Sequence, residues 1–218
     1  MTNARPLMIS GAVVVAMSAL ARWAVDRVGD RRLPMHFGLN GPDNYQPAAV
    51  ALWSFPVIAL GVTLFFAVMP AVMPRTGRLE RSQSAYQAVW LGVLMVLAIT
   101  QAAIVAAAVG ATSDSERIVF AGVGALLIVL GNLMGKIRYN YVFGVRTPWT
   151  LADERVWDKT HRFMGPWFMA WGPCVLAVAV FAPGGGVWLR YAMLGGAGVT
   201  LGLSLAYSYL AARRAGAA

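Results

Sequence analysis

Long apolar runs separated by short polar connections dominate the pattern of this chain. Six runs are visible, at residues 7–25, 48–73, 85–109, 118–134, 164–182 and 187–210. Each has about the ~17 to 25 residues that a helix needs to cross roughly 30 Å of hydrocarbon. None alternates apolar and polar residues as a barrel strand does, and only helices and closed barrels satisfy their backbone within a bilayer. The pattern predicts an all-α polytopic membrane protein, built as a bundle of six transmembrane helices.

Composition agrees with a bilayer as the solvent. Hydrophobic residues make up 59% of the 218-residue chain and charged residues 12%, about half of the ~25% usual in a soluble domain. The net charge is +9, but the arginines stand singly or in pairs at the ends of apolar runs, as topology signals and contacts to anionic lipid do. Since no basic face interleaved with aromatic residues is visible, we predict membrane lipid as a partner and no direct contact with nucleic acid.

The positive residues predict the orientation. With six spans both termini lie on one side, and twelve of the 18 Lys and Arg residues fall on that side, together with the loop between spans four and five. Because cytoplasmic loops carry the excess of positive charge, we expect both termini and this loop in the cytoplasm. The first run leaves an alternative open. Arg5 and the apolar residues that follow also fit a signal peptide cleaved near residue 21, which would leave five spans.

Residues 131–165 are the most polar segment between apolar runs. The whole chain has 27 charged side chains, 18 basic and nine acidic, and this segment holds nine of the 27. The first half, 136–150, mixes Gly, Asn and Pro with aromatic residues without a steady period, which is typical of irregular backbone near a membrane surface. The second half predicts a short helix between spans four and five. Thr147 before Pro148 is an N-cap and first-turn pair, and Thr150 with Asp153 is a second candidate capping box.

The same segment resembles a known family. The pattern GN-x-M-GKI-x-x-N-x-x-x-G-x-RTPWTL, followed by VW-x-x-TH, is similar to the signature of the SdpI family of bacterial membrane proteins. The resemblance implies a protein of the bacterial cytoplasmic (inner) membrane that gives immunity to a secreted peptide toxin, or that signals its presence to a cytoplasmic transcriptional repressor. It marks as site residues Asn132, Lys136, Arg138, Asn140, Gly144, Arg146, Thr147, Pro148, Trp149, Thr150, Glu154, Trp157, Thr160, His161 and Arg162.

A second resemblance lies upstream. Residues 33–43 are similar to the LP, H, NG and D pattern of a small domain of unknown function joined to the N-terminus of SdpI-like proteins. We therefore predict a two-span N-terminal segment, residues 1–75, and a four-span SdpI-like segment, residues 76–218. His36, Asn40 and Asp43 in the outer loop of the first segment form either a solvated turn or a recognition surface for an extracellular toxin.

The cations of the signature each have two interpretations. Lys136 and Arg138 stand beside aromatic residues at the membrane edge, either as positive-inside anchors within an aromatic belt or as ligand contacts. Arg146 lies in a tight turn before Thr147, where its five donors suit a carboxylate or a lipid phosphate. An internal clamp to a nearby acid is equally compatible, and the candidate acids are Asp153, Glu154 and Asp158.

The helix after the turn carries the remaining candidate chemistry. Asp153, Trp157 and His161 are spaced i, i+4 and i+8, so they share one stripe that would suit a ligand or partner. Asp158 lies one turn before His161, but the chain has two histidines, expected on opposite membrane faces, and no cysteine beside either, which leaves too few ligands for zinc. The apolar runs contain no Asp, Glu or His for acid–base chemistry. We predict no metal, no cofactor and no enzymatic activity.

Small and polar residues inside the runs predict how the helices pack. They are the pairs Gly131–Gly135 and Gly198–Gly202, for close approach, and the side chains of Gln101 and Asn132, for hydrogen bonds between helices. Residues 37–42 and 143–148 share the pattern F-G-aliphatic-x-x-P, which reflects either an inverted repeat of two three-span halves or chance.

These patterns favour a non-catalytic protein that acts by binding. Two other functions stay open. A transporter of a small amphiphile would have a polar path lined by Gln101, Asn132 and signature residues, whereas a lipid-binding scaffold would hold a headgroup at Lys136, Arg138 or Arg146. The pattern identifies neither the toxin nor the regulator nor the oligomeric state.

Overall fold

The computed structural model describes residues 3–38, 41–72, 82–112, 114–183 and 186–216. Within these ranges the helices are α1 Ala4–Val28, α2 Ala48–Val72, α3 Gln83–Ala108, α4 Ser115–Met134, α5 Pro148–Ala152, α6 Glu154–Phe181 and α7 Gly186–Ala215, and the strands are β1 Arg32–Gly38 and β2 Gly41–Pro47. Every helix except α5 is long and apolar enough to cross a membrane. This confirms the predicted all-α membrane fold with six spans.

The spans pack in sequence order. α1, α2 and α3 pack on one another, α4 lies between α3 and α6, and α7 packs mainly on α6. One end of the bundle, which we call the signature face, carries residues 135–153 and the N-terminus of α3, where the backbone N–H of Arg138 donates to Ser82 Oγ at 2.8 Å. The opposite end, the hairpin face, carries β1 and β2, and Arg31 there donates to the carbonyl of Ala108 at the end of α3, at 3.4 Å.

Glycines bring α4 and α6 together. A Cβ on Gly131 would lie 2.9 Å from the carbonyl oxygen of Gly165, and a Cβ on Gly172 would lie 2.7 Å from that of Gly124. The two glycines of each helix are seven residues apart, so they lie on one face and let the backbones touch. The predicted pair Gly198–Gly202 does not act in this way. A Cβ at either position would meet no atom within 4 Å, because this face of α7 is exposed.

Two prolines shape the contact between α2 and α3. Proline has no N–H, so the carbonyl four residues before it loses its helical partner. Side chains of α3 donate to both of these carbonyls in α2. Gln101 Nε2 lies 3.3 Å from the carbonyl oxygen of Leu52, which precedes Pro56, and Tyr86 Oη lies 2.5 Å from that of Phe66, which precedes Pro70.

Gln101 also joins α3 to the first helix. Its Nε2 lies 3.0 Å from the carbonyl oxygen of Met17, and its side chain is fully buried. The predicted hydrogen bond between helices is therefore confirmed for Gln101. It is wrong for Asn132, which is exposed on α4 and whose side chain forms no hydrogen bond with another helix in the described ranges.

The helices extend beyond the apolar runs and so include acidic groups that the runs lack. Glu116 in the first turn of α4 accepts a hydrogen bond from Arg190 near the start of α7 at 2.6 Å. Both side chains are largely shielded from solvent. The expectation of spans free of acidic residues is therefore wrong for the complete helices, although this pair lies at the hairpin face and not at mid-membrane.

A two-stranded antiparallel hairpin replaces the turn that we expected between the first two spans. The pairing is irregular next to His36, which stands opposite Asn44. Phe37, Gly38, Gly41 and Pro42 belong to the strands of this hairpin, whereas residues 143–148 lead irregularly into α5, so the described parts of the two segments do not share a local structure. Asn40, the arginines Arg75, Arg78 and Arg81, and the predicted segment boundary at residue 75 lie outside the described residues. The division into 1–75 and 76–218 stays a prediction.

Candidate functional site

Asn140 organises the loop that follows α4. Its side chain is buried, its Nδ2 donates to the carbonyl of Arg138 at 2.8 Å, and its Oδ1 accepts from the backbone N–H groups of Val142 and Phe143 at 2.8 and 2.9 Å. Asparagine favours such turns because its side chain mimics a backbone hydrogen bond. The Asn of the signature therefore sets the backbone path toward Gly144.

Gly144 lets this loop lie directly on α6. Its φ is +116°, and a Cβ there would collide with the ring of His161 and lie 3.1 Å from that of Trp157. The next residue, Val145, donates its backbone N–H to His161 Nε2 at 2.9 Å, while His161 Nδ1 lies 2.9 Å from the carbonyl oxygen of Trp157. Since Nε2 accepts, Nδ1 carries the proton and donates, which makes His161 a neutral connector between loop and helix.

Trp157 fills the centre of the same contact. It is fully buried, donates its indole N–H to the carbonyl of Ile137 at 2.9 Å, and stacks on His161 with ring centroids 4.1 Å apart. Tyr139 packs edge-on against it at 5.5 Å. The predicted stripe of Trp157 and His161 is thus real, but it faces inward. It supports the loop and offers no exposed platform to a ligand.

Helix α5 begins with a capping box that also reaches α7. Thr147 Oγ1 and the backbone N–H of Thr150 lie 3.3 Å apart, and Thr150 Oγ1 accepts from the backbone N–H of Thr147 at 2.9 Å. The hydroxyl of Thr147 also donates to Ser208 of α7 at 2.9 Å. Pro148 occupies the first helical position, as predicted. These bonds fasten the signature turn to the last span.

Asp153 ends this short helix and begins the next one. It is the N-cap of α6, where its side chain accepts from the backbone N–H groups of Arg155 and Val156. The predicted capping box between Thr150 and Asp153 is therefore wrong, because Asp153 caps α6 instead. The side-chain hydrogen bond from Arg155, followed by that from its backbone N–H, lowers the pKa of Asp153 below its usual range. The short helix is correspondingly only five residues long, and residues 154–162 open the fifth span.

An apolar groove of about 590 Å³ lies below the turn. Its walls come from all four neighbouring spans, through residues such as Val89, Leu130, Phe168, Trp171 and Leu201, and residues 143–148 close it at the signature face. Arg146 is the one charged residue among those that line it. This groove is the candidate functional site.

Arg146 stands exposed at the closed end of the groove. It forms no ion pair or hydrogen bond with any residue in the described ranges, so the predicted internal clamp to an acidic side chain is absent there. Asp153 instead pairs with Arg155 at 3.0 Å, and Asp158 lies 3.9 Å from Arg138. The guanidinium is consequently available to an anionic group from outside the chain.

Residues 136–208 match the model of the SdpI/YfhL protein family. This segment, which we call the SdpI segment, is similar to that family. The chain is also similar to Immunity protein SdpI of Bacillus subtilis (strain 168), with 25% identity over 172 residues, which cover 78% of this chain and 79% of the relative. No solved structure matches the chain.

The SdpI segment contains the turn, α5, α6 and most of α7, so it supplies Arg146 and two walls of the groove. Other signature residues have structural positions. Trp149 packs on Tyr209 with centroids 5.3 Å apart, next to the buried Val156 and Ala212, and so secures the end of α7. Thr160 is fully buried, and its hydroxyl has no hydrogen-bond partner within the described chain.

The remaining signature residues lie at the surface of the SdpI segment. Lys136, Glu154 and Arg162 are exposed, and Arg138 is exposed apart from its loose pairing with Asp158. Sequence reasoning missed Ser208, Thr200 and Trp171, which border the turn or the groove. The sequence placed Ser208 in the last span, but it did not indicate which face of α7 would contact the turn.

The outer residues lie far from the SdpI turn, at the hairpin face. His36 Nδ1 and Asp43 Oδ1 are 2.5 Å apart across the two strands, and both side chains are more than half exposed. A Cβ on Gly38 would lie 2.6 Å from Asp43, which explains the glycine. Within the described ranges, no cluster of three or more His, Cys, Asp or Glu residues is placed to bind a metal ion.

Proposed function

We propose that this protein is a membrane immunity protein that counters a secreted peptide toxin by binding and without chemical conversion. The observation that carries this proposal is the similarity to Immunity protein SdpI over 78% of the chain, joined to a signature that folds into an ordered turn with an available arginine. Family resemblance alone leaves function open, and the site geometry is what favours binding.

The groups around the groove support a role in binding. A covalent mechanism needs a nucleophile beside a general base. The hydroxyls that line or border the groove already have partners, since Ser208 donates to the carbonyl of Ser204 at 2.6 Å and Thr200 to that of Gly196 at 2.7 Å. Both ring nitrogens of His161 are engaged as well. An apolar groove with one cation at its end suits recognition of an amphiphile.

The proposed mechanism assigns different roles to the two faces. By the excess of positive charge, the signature face and both termini lie in the cytoplasm of the bacterial inner membrane, and the hairpin face meets a secreted toxin first. The helix α6 connects the faces, and its glycine contacts with α4 allow little independent movement. A toxin that shifts α6 at the hairpin face would therefore change the position of the turn above the groove, where a cytoplasmic transcriptional repressor would detect it.

A killing assay tests the proposal. The full chain is expressed in a host that is sensitive to a secreted peptide toxin and lacks an immunity protein, and survival is compared with that of the empty host. We expect protection, and we expect Arg146→Ala to remove most of it because this cation is the free polar group of the groove. The Arg155→Ala variant, which removes a cation of the same face that pairs with Asp153, should protect like the parent protein.

Membrane levels of each variant are measured alongside survival. Full protection by Arg146→Ala at parental levels would show that the groove does not take part. Absence of protection by the parent chain against every toxin tried in the sensitive host would contradict the immunity proposal itself.

A further inference from the structure

We propose that the groove is a binding site for one acyl chain of an anionic glycerophospholipid, with its phosphate held by Arg146. This goes beyond the immunity function, since it names a resident ligand of the membrane and not the toxin. The argument rests on the polarity, the size and the position of the groove.

Polarity restricts the ligand to an amphiphile with one anionic end. The polar groups that line the groove are occupied by the protein itself: Thr147 donates to Ser208, Thr200 donates to the carbonyl of Gly196, and Trp171 donates its indole N–H to the carbonyl of Ala192 at 3.1 Å. Arg146 is left as the polar group that a ligand can reach. Its guanidinium presents donors in the geometry that phosphate oxygens accept.

The shape of the groove suits an acyl chain. Its volume is about 590 Å³, and its walls are mostly apolar side chains of four spans. An extended hydrocarbon chain is narrower than a helix and fits along the apolar walls. The polar hydroxyls of Thr200 and Ser204 turn inward to protein partners, so they do not oppose its entry.

Position favours a lipid over a ligand from solution. The walls are formed by membrane-spanning helices, and α7 packs mainly on α6, with little contact to α4 and less to α3. With six spans, twelve of the 18 Lys and Arg residues fall on the same side of the membrane as the signature. The positive-inside rule makes this the cytoplasmic side, whose leaflet contains anionic lipids. Charge complementarity therefore selects an anionic headgroup at Arg146.

Native mass spectrometry of the full-length protein in detergent tests this assignment. Phosphatidylglycerol and phosphatidylcholine with identical acyl chains are titrated separately, and the affinities are compared. We expect phosphatidylglycerol to bind about tenfold more tightly, since loss of one charge-assisted contact typically has this effect. Arg146→Gln should abolish the preference, and Ala197→Phe, which fills the groove from α7, should weaken both lipids.

Arg155→Gln is the matched control, because it removes a cation of the same face outside the groove, and it should keep the tenfold preference. Thermal unfolding of each variant shows that it is folded. Equal binding of the two lipids by the parent protein, or equal loss in Arg146→Gln and Arg155→Gln, would overturn the assignment. So would displacement of phosphatidylglycerol by an equal concentration of palmitate, because the occupant would then be a free acid. Protection in the killing assay is measured independently, so either proposal can fail while the other stands.

Discussion

Single residues hold the signature turn against α6. Gly144 has a positive φ and no side chain, which is what allows the backbone of Val145 to reach His161. His161 in turn connects the loop to the carbonyl of Trp157. At this scale most of the signature is a set of structural contacts, and Arg146 is its one charged residue among those that line the groove.

Gly144→Ala should therefore destabilise the folded protein. The added methyl group would meet the rings of His161 and Trp157 in a conformation that L-residues avoid, at a cost of about 1–3 kcal/mol in the free energy of unfolding. Thermal unfolding in detergent measures the change. Gly198→Ala is the control, because its Cβ would meet no atom within 4 Å, and we expect it to be neutral or to stabilise by up to about 1 kcal/mol. Equal stability of the two variants would show that the turn can move away from α6.

The contacts between neighbouring helices use backbone groups that proline or glycine leaves accessible. Pro56 and Pro70 each free a carbonyl within α2, and α3 places Gln101 and Tyr86 opposite them. The contact between α4 and α6 depends on the opposite feature, glycines that expose the backbone. These contacts fix how neighbouring spans meet without any charged pair at mid-membrane in the described helices.

A double-mutant cycle tests the match between Pro70 and Tyr86. Tyr86→Phe removes the hydroxyl that donates to the carbonyl of Phe66, and we expect it to cost about 0.5–1.5 kcal/mol in the free energy of unfolding. In a Pro70→Ala background the helix supplies its own N–H donor to that carbonyl, so the same substitution should cost less. Identical costs in both backgrounds would show that the proline and the tyrosine act independently.

Gly131 and Gly135 offer a matched test of the contact between α4 and α6. A Cβ on Gly131 would lie 2.7 Å from the backbone nitrogen of Met169, whereas one on Gly135 would lie 3.9 Å from Arg162 Cγ. We expect Gly131→Ala to lower the free energy of unfolding by about 1–3 kcal/mol through overpacking. Gly135→Ala should change it by less than about 0.5 kcal/mol. Denaturant unfolding in mixed micelles measures both changes. Equal free energies of unfolding for the two variants would contradict this contact.

The whole molecule is a bundle with two different ends. The hairpin face carries the exposed pair of His36 and Asp43, and the signature face carries the turn, the groove and Arg146. This separation is what gives the proposed functions their direction. A toxin arriving from outside and a lipid of the inner leaflet would meet different ends of the same helices.

Cysteine labelling of whole cells tests this direction. In a Cys174→Ser background, a cysteine replaces Asn44 in the hairpin or Lys159 near the start of α6, and both positions are exposed. Because positive charge is retained in the cytoplasm, a membrane-impermeant maleimide should label Asn44→Cys in intact cells and Lys159→Cys only after permeabilisation. The reverse pattern would place the signature face outside and would remove the basis for an inner-leaflet lipid at Arg146.

Much of the architecture followed from local pattern. The length and hydropathy of each run predicted all six spans, because a bilayer requires that number of apolar residues in any helix that crosses it. Thr147 and Pro148 predicted the start of α5, since capping depends on neighbours in the chain. The signature pattern predicted the similarity of residues 136–208 to the SdpI/YfhL family. The hairpin was missed because its strands contain Pro34, Pro42 and Pro47, which are unusual within strands, and because its pairing is irregular near His36.

The tertiary structure decided which of these residues face one another. Asn132 and Arg146 are both polar residues of the signature, but only the packing of four helices leaves Asn132 on an outer surface and places Arg146 at the end of a groove. In the same way, packing made Gly131 a contact with α6 and left Gly198 open. A sequence determines local preference and membrane solubility directly, whereas burial and complementarity arise from distant segments brought together, so the groove became visible only when the helices were assembled.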